Sequence, residues 1–371
     1  MNMDIWAEYI VMVLVLLFTV CILAFTPYYT NRGSSFGVSV PESEYDNPKL
    51  AKLRRSYRNG VLLSGGVLTA ATLIGMSLIP NFSIIAAFVC LIIIVPAIVL
   101  YVSAYKKVKV IKEEENWQQR VSSKIVVELS SGELHRLPSM AWSLLYWAIA
   151  AITATITFVA YPNMPDVIPQ NYNMAGEVTS FAPKTISTVS IIPATIAIMA
   201  LIFTFVLFVI RKSRAPIAVD NKEESLQRNT IFRRAWSIFT LIMGSGLSLL
   251  FLLIQLAIIG FIPSQSIMVA TLLSVVVIFA GVIGLIVRYG QGGSLVRAKD
   301  RKDSQVISAK DDDRYWKWGA FYYNPDDPAL FVEKRFGIGW TSNFARPLTW
   351  VFVGALLLFI VGALVLTYTQ I

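Results

Sequence analysis

Residues 235–287 have the sequence AWSIFTLIMGSGLSLLFLLIQLAIIGFIPSQSIMVATLLSVVVIFAGVIGLIV. They form two apolar runs, Ala235–Phe261 and Ile267–Val287, which are separated by a short break and contain no ionisable side chain. A run of about 20 apolar residues is long enough to cross the hydrocarbon core of a bilayer as a helix. Because backbone polar groups in lipid must be satisfied internally, we expect a pair of membrane-spanning helices here.

Eight such runs occur along the 371 residues. The composition agrees with them, because 56% of the residues are hydrophobic and 15% are charged, against about 25% charged in soluble domains. We therefore predict an all-α fold, a polytopic membrane helix bundle of about eight transmembrane helices, and we exclude a soluble, secreted or disordered chain. The other six predicted spans are Trp6–Phe25, Gly60–Ile79, Ile84–Ala104, Met140–Ala160, Ser187–Ile210 and Leu348–Tyr368.

The basic residues are distributed unequally among the loops. Of the 32 Lys and Arg residues, 31 fall in four loops, and only Lys184 falls on the other side. The positive-inside rule places these four loops in the cytoplasm. We therefore predict a multi-pass protein of the cell membrane with both termini outside. Basic groups facing the anionic lipid of the bilayer account for the net charge of +9, and no nucleic acid is expected as a partner.

The spans and loops divide the chain into six predicted regions. These are an N-terminal three-helix membrane region at 1–110, a cytoplasmic loop at 111–139 with a β-hairpin at 124–137, a helix pair at 140–211 with an outer loop at 161–186, a third cytoplasmic loop and helical hairpin at 212–288, a cytoplasmic domain rich in aromatic residues and Asp at 289–346, and a last transmembrane helix at 347–371.

The spans lack the side chains that catalysis or ion coupling within a membrane requires. No span interior contains Asp, Glu, Lys, Arg or His, the single histidine His135 lies in a polar loop, and both cysteines lie in apolar runs. We therefore predict no enzyme activity, no catalytic residue, no metal site and no cofactor. Pro96 and Pro193 interrupt two spans and leave a transporter open as an alternative, and Gln255 is expected to form an interhelical hydrogen bond.

The outer loop is the first of two segments rich in candidate site residues. Its three prolines fix a turn-rich path, and Asn171 and Asn173 would share one face of an extended segment and offer amide groups to a ligand. A loop that only ties two spans together is the alternative. The predicted residues for binding a ligand or partner are Pro165, Asp166, Pro169, Asn171, Asn173, Gly176 and Glu177.

These outer-loop residues resemble a domain of unknown function found in bacterial SdpI-like immunity and signalling membrane proteins. The resemblance rests on Pro165-Asp166-Val167-Ile168-Pro169, followed by Asn173, Gly176, Glu177 and Lys184, and it covers spans four and five. Family members usually have Leu and His at the positions of Met164 and Asn171, so a titrating role at Asn171 is not implied. The resemblance implies protection against a membrane-active toxin, with an extracellular peptide toxin and a cytoplasmic regulator as partners.

The last cytoplasmic loop is the second such segment, and it resembles another small bacterial domain of unknown function. Its aromatic side chains suit either the membrane interface or a small folded cap under the bundle. Its five aspartates are expected in solvated acidic turns, with a divalent-cation site as the alternative. The predicted residues of a cytoplasmic partner site or interface are Tyr315, Trp316, Asn324, Asp326, Asp327, Arg335 and Trp340.

The sequence leaves three functions open. The first is a non-enzymatic toxin-immunity protein or sensor of envelope signals, which acts through the outer loop and cytoplasmic partners. The second is a small-molecule transporter or permease component. The third is a membrane enzyme or an assembly factor of the cell envelope, and the catalytic version is disfavoured by the absence of His and Cys chemistry.

Overall fold

The computed structural model of the protein describes residues 3–78, 92–117, 137–172, 177–214, 222–296, 312–355 and 357. Within these ranges the chain is mostly helical, and six helices are long and apolar enough to cross a membrane. The prediction of a multi-pass membrane helix bundle is therefore confirmed. The predicted third and eighth spans extend beyond the described residues, and the predicted hairpin at 124–137 lies outside them.

Three helices form the N-terminal part of the bundle: α1 (Met3–Tyr29), α2 (Pro48–Leu78) and α3 (Ile94–Glu114). The carboxamide oxygen of Asn47 accepts a hydrogen bond from the backbone N–H of Lys49 at 2.9 Å, which caps the start of α2. A basic segment and the second predicted span are joined in this one helix. At Gly65 of α2, a Cβ atom would lie 2.5 Å from the Val20 side chain, so the glycine allows α1 and α2 to pack closely.

Four helices form the second part: α4 (Leu144–Ala160), α5 (Ile186–Lys212), α6 (Lys222–Ile259) and α7 (Gln265–Tyr289). Helix α5 is continuous although Pro193 lies inside it, and Pro96 lies in the first turn of α3, where its missing N–H has little cost. The interruption predicted at Pro193 is therefore not seen as a break in α5, whereas α3 begins only at Ile94, inside the predicted third span and two residues before Pro96. Helix α6 has 38 residues and a length of about 57 Å, so it extends well beyond a hydrocarbon core of about 30 Å.

The structure is mostly helical, as the predicted helix bundle with small loop elements requires, and the described residues also form four antiparallel hairpins at positions that the sequence did not indicate. The strand pairs are β1 (Ser34–Ser35) with β2 (Val38–Ser39), β3 (Val167–Tyr172) with β4 (Val178–Pro183), β5 (Trp316–Lys317) with β6 (Phe321–Tyr322), and β7 (Phe331–Glu333) with β8 (Trp340–Ser342). The hydrogen bonds between paired strands satisfy the backbone N–H and C=O groups of these non-helical segments.

The hairpins lie at opposite ends of α5 and α6. The β3–β4 hairpin precedes α5 and packs on the last residues of α6. The other three hairpins form a small folded unit at the opposite end, which we call the cap and define as residues 31–47 and 312–346. A backbone bridge between Arg214, which follows α5, and Val332 joins the cap to that helix. A second bridge, between Tyr322 and Asn343, joins two hairpins of the cap to each other.

Candidate functional site

The β3–β4 hairpin has one buried and one exposed face. Ile168 and Ala182 pair across the ladder and are buried against the bundle, next to Met164. On the opposite face, Val167 is 56% exposed and Phe181 is 61% exposed. Since successive side chains of a strand alternate between faces, these two belong to one exposed apolar surface, which we call the hairpin face.

Lys184 fixes the base of this hairpin. Its ammonium group donates a hydrogen bond to the carbonyl of Met164 at 2.7 Å and lies 5.5 Å from the centre of the Tyr161 ring. The backbone N–H of Lys184 donates to the carbonyl of Asp166 at 2.8 Å. Lys184, whose motif position supported the family resemblance, therefore acts here as an anchor for the connection.

The predicted outer-loop residues have different surroundings. Pro165, Asp166 and Glu177 are exposed, and Pro169 is partly buried opposite Phe181 in the ladder. Asn171 lies in β3, where its backbone pairs with Ser180 next to an irregularity in the register. Asn173 and Gly176 lie outside the described residues. The sequence-based prediction missed Val167 and Phe181, because both strands have apolar residues on both faces and their residue types do not show which face is buried.

Gln255 connects α6 to the two helices that flank the hairpin. Its amide nitrogen donates to the hydroxyl of Thr157 in α4 at 2.9 Å and approaches the carbonyl of Val189 in α5 at 3.5 Å. The Thr157 hydroxyl donates in turn to the carbonyl of Thr153. The predicted interhelical hydrogen bond of Gln255 is therefore confirmed, and it lies among buried side chains.

Replacing Gln255 by Leu should destabilise the bundle by about 1 kcal/mol, because an interhelical hydrogen bond within a membrane contributes about this much. The free energy of unfolding in mixed micelles measures it. The control is Thr155→Val, since Thr155 is exposed and its hydroxyl donates to a carbonyl of its own helix, α4. Equal losses in both variants would mean that the bond of Gln255 does not couple the helices.

Arg335 joins the segments of the cap to one another, and one of its partners also joins the cap to α3. Its guanidinium group forms ion pairs with Asp312 and Asp313 and donates to the carbonyl of Gly37 at 3.1 Å. Asp313 also accepts from the buried ammonium of Lys112 in α3 at 2.7 Å. Burial opposes ionisation of Asp313, but the two cations outweigh it and hold its pKa below the usual value.

A row of buried aromatic rings lies beside this ion network. Phe336 of the cap stacks on Phe36 at 5.6 Å between ring centres and contacts Tyr101 of α3 at 4.5 Å. Tyr57 of α2 meets Phe36 edge to face at 5.4 Å. Gly37 and Gly319 bring two backbone segments into direct contact there. The cap is thus held to α2 and α3 by apolar packing as well as by charge.

A second buried network forms around Asp327. Its carboxylate pairs with Arg214 at the end of α5 and accepts from the Tyr322 hydroxyl at 2.8 Å. Its backbone carbonyl accepts from Asn343 and Arg346. Asn324, a predicted site residue, donates to the Tyr322 hydroxyl at 3.0 Å. Asp327 therefore connects the end of α5 to two hairpins of the cap.

Glu333 connects the cap to α6. Its buried carboxylate accepts from the amide of Asn229, and Arg233 lies near it on the same helix. Burial raises the pKa of Glu333, and Arg233 and Asn229 oppose that rise without cancelling it. Arg233 also donates to the carbonyl of Ser213 at 2.7 Å. The α6 helix thus holds both the cap and the end of α5.

The docked cap should become more stable as the pH falls from neutral toward about pH 5, because the folded protein binds a proton at Glu333 more tightly than the unfolded chain does. This contribution is complete below the ordinary glutamate pKa of 4.5 and is lost as the pH rises through the raised pKa. Melting temperatures across this range measure it. Glu333→Gln should remove this part of the pH dependence, and a variant with the wild-type slope would contradict the assignment.

The aspartates of the cap differ from the solvated turns that we expected. Asp312, Asp313 and Asp327 are paired with cations: Arg335 comes from the same loop, and Lys112 and Arg214 reach Asp313 and Asp327 from distant parts of the chain. Asp326 is exposed as expected, and Asp311 lies outside the described residues. No cluster of three potential metal ligands occurs among the described residues.

The remaining predicted cap residues are structural. Trp316 is buried beneath the guanidinium of Arg335 at 5.0 Å, and Tyr315 packs beside Tyr322 in the same hairpin. Trp340 lies 5.6 Å from Phe232 of α6. The residues that we predicted as a partner site therefore lie within one folded cap and at its contacts with α5 and α6. For these side chains the structure shows the folded cap, which was one of the two alternatives for this loop.

Two parts of the chain match known domains. Residues 148–197 match a domain of unknown function (DUF1648), which covers most of α4, the β3–β4 hairpin and the first part of α5. Residues 325–350 match a family of unknown function (DUF5808), which covers β7, β8 and the start of the following helix. No curated protein and no solved structure matches the chain. The combination of two domains of unknown function in a membrane protein is therefore confirmed.

Proposed function

We propose that this protein is a non-enzymatic membrane sensor of the SdpI-like kind, which protects against a membrane-active toxin or reports an envelope signal. In this proposal the hairpin face meets the signal outside the cell, and the cap meets a regulator in the cytoplasm. The chain then has eight spans with both termini outside. The distribution of 31 of the 32 basic residues on the side of the cap supports this orientation.

The observation that carries the proposal is that α5 and α6 each contact the hairpin at one end and the cap at the other. Ile258 and Ile259 of α6 pack near the hairpin residue Ile168, and Asn229 at the other end of α6 binds Glu333. Arg214, which closely follows α5, binds Asp327. A signal that shifts either helix at the hairpin therefore has a continuous helical connection to the cap.

The hairpin face favours an apolar or amphipathic peptide as the signal. Val167 and Phe181 expose apolar surface on a connection that is otherwise anchored by Lys184. A membrane-active peptide is amphipathic, so its apolar side chains are suited to this surface. Gln255, the lone amide of its span, is used in helix packing, which supports a sensor over a transporter.

The proposal is tested by survival of a null strain exposed to a panel of amphipathic cationic peptides. We expect the wild-type gene to restore resistance to at least one peptide and Phe181→Ser to lose it by about tenfold in inhibitory concentration, as expected for about 1.4 kcal/mol of lost apolar contact. Membrane abundance of each variant is measured in parallel.

The matched control is Phe261→Ser. Phe261 follows α6 at the same end of the bundle and is 65% exposed, so its loss changes the apolar surface equally without touching the hairpin. Loss of resistance in both variants, or in neither, at normal abundance would contradict a receptor role of the hairpin face. A null strain without any selective sensitivity would contradict the immunity function itself.

A further inference from the structure

Four aromatic side chains, three from the cap and one from the helix that follows it, form a continuous row outside the buried interior of the cap. The rings of Trp318 and Phe321 are 6.3 Å apart, those of Phe321 and Phe344 are 5.6 Å apart, and those of Phe344 and Trp350 are 5.8 Å apart, all edge to face. Trp318 is 66% exposed and Trp350 is 59% exposed. We call these four side chains the aromatic row.

The backbone holds Trp318 in this exposed position at a conformational cost. Trp318 has a φ of +52°, which is unfavourable for a bulky residue. Its carbonyl accepts a hydrogen bond from the Tyr101 hydroxyl of α3 at 2.9 Å, and the next residue, Gly319, packs on Gly37. A smaller polar residue suits such a turn better in water, whereas an exposed indole is stabilised in a partly apolar environment.

Both ends of the row lie next to the third and eighth spans that the sequence predicts. Tyr101, which fixes Trp318, precedes Lys106 and Lys107 in α3 by about one and a half helical turns. Trp350 belongs to the helix at residues 347–355, whose exposed side chains include Leu348 and Val351. The row therefore extends between the polar end of one predicted span and the start of another, which is where aromatic residues of membrane proteins are enriched.

We propose that the aromatic row lies in the headgroup region of the bilayer and fixes the cap against the membrane surface. Tryptophan rings are amphipathic and are enriched at this depth. Lys317 pairs with Phe321 across the β5–β6 ladder and is exposed, so its ammonium group can meet lipid phosphates. The proposal requires that the helices span a membrane, and it does not depend on the sensor function.

The test places a polarity-sensitive fluorophore on single cysteines at Trp318→Cys, Phe321→Cys and Asp326→Cys, with the native Cys21 and Cys90 replaced by Ala. Asp326 is an exposed residue of the same cap in an acidic turn, and it serves as the matched control. Each full-length variant is reconstituted in vesicles of phosphatidylcholine and phosphatidylglycerol. Quenching is measured with a lipid nitroxide near the headgroups and with aqueous iodide.

We expect the lipid nitroxide to quench the labels at 318 and 321 at least about threefold more than the label at 326, and iodide to show the reverse order. Two positions in the row keep the test decisive if one variant fails to fold. Iodide quenching at 318 and 321 equal to that at 326 would overturn the proposal. Shielding of both positions from both quenchers would also overturn it, because a protein contact such as a second copy would then cover the row.

Discussion

Replacing Arg335 by Ala should loosen the segments of the cap from one another and lower the free energy of unfolding of the cap by about 3 kcal/mol, because removing one partner of a largely buried ion network leaves the others uncompensated. Arg335 pairs with Asp312 and Asp313 and lies over the Trp316 ring. Without Arg335, Lys112 is the cation of this network that still pairs with Asp313. Amide hydrogen exchange in β5–β8 measures the effect.

The control for this prediction is Arg314→Ala. Arg314 is exposed and lies over the Tyr315 ring at 4.5 Å, so its removal changes the net charge of the cap equally but should leave hydrogen exchange near the wild-type rate. If Arg314→Ala accelerates exchange in β5–β8 as much as Arg335→Ala does, then total charge and not the ion network holds the cap.

Replacing Gly37 by Ala should separate the two backbones that meet at the centre of the cap and destabilise it by about 3 to 4 kcal/mol. Gly37 has a φ of +81°, and a Cβ atom there would lie within van der Waals overlap of the carbonyl oxygen of Gly319. Backbone strain of about 1 kcal/mol adds to an overpacking cost of up to about 3 kcal/mol, since backbone atoms cannot rotate away. The melting temperature of the purified protein measures the loss.

Gly339→Ala separates the two causes of that loss. Gly339 has a φ of +105°, and among the described residues no atom lies within 4 Å of the position that an added Cβ would take. Ala should therefore cost only the backbone strain of about 1 kcal/mol there. Equal losses at Gly37 and Gly339 would mean that the close contact between Gly37 and Gly319 adds nothing to the stability of the cap beyond backbone strain.

The helices of the bundle could be predicted from the sequence because their determinants are local. An apolar run of sufficient length can be identified directly in the sequence. The same holds for Asn47, which caps the N-terminus of α2, and for Gln255, the lone amide of its span. The β3–β4 hairpin was within reach of the same reasoning. Its two strands are short apolar segments that a few residues separate, but the prolines suggested an irregular loop, and the residue types do not show that Val167 and Phe181 are exposed.

The ion networks of the cap could not be predicted in this way. Lys112 and Asp313 are 201 residues apart in sequence, and Asn229 and Glu333 are 104 residues apart. A local pattern of aspartates is the same whether water or a distant arginine surrounds it. Only the fold determines that Asp313 and Asp327 are paired while Asp326 is exposed. The role of such residues therefore had to come from tertiary structure.

The central claim is that the hairpin and the cap lie on opposite sides of the membrane and are joined by α5 and α6. Its most direct test is the labelling of Thr179→Cys in the hairpin and Asp326→Cys in the cap, both exposed positions, in intact cells with a membrane-impermeant maleimide. We expect Thr179→Cys to react in intact cells and Asp326→Cys to react only after permeabilisation. Reaction of both, or the reverse order, would contradict the account.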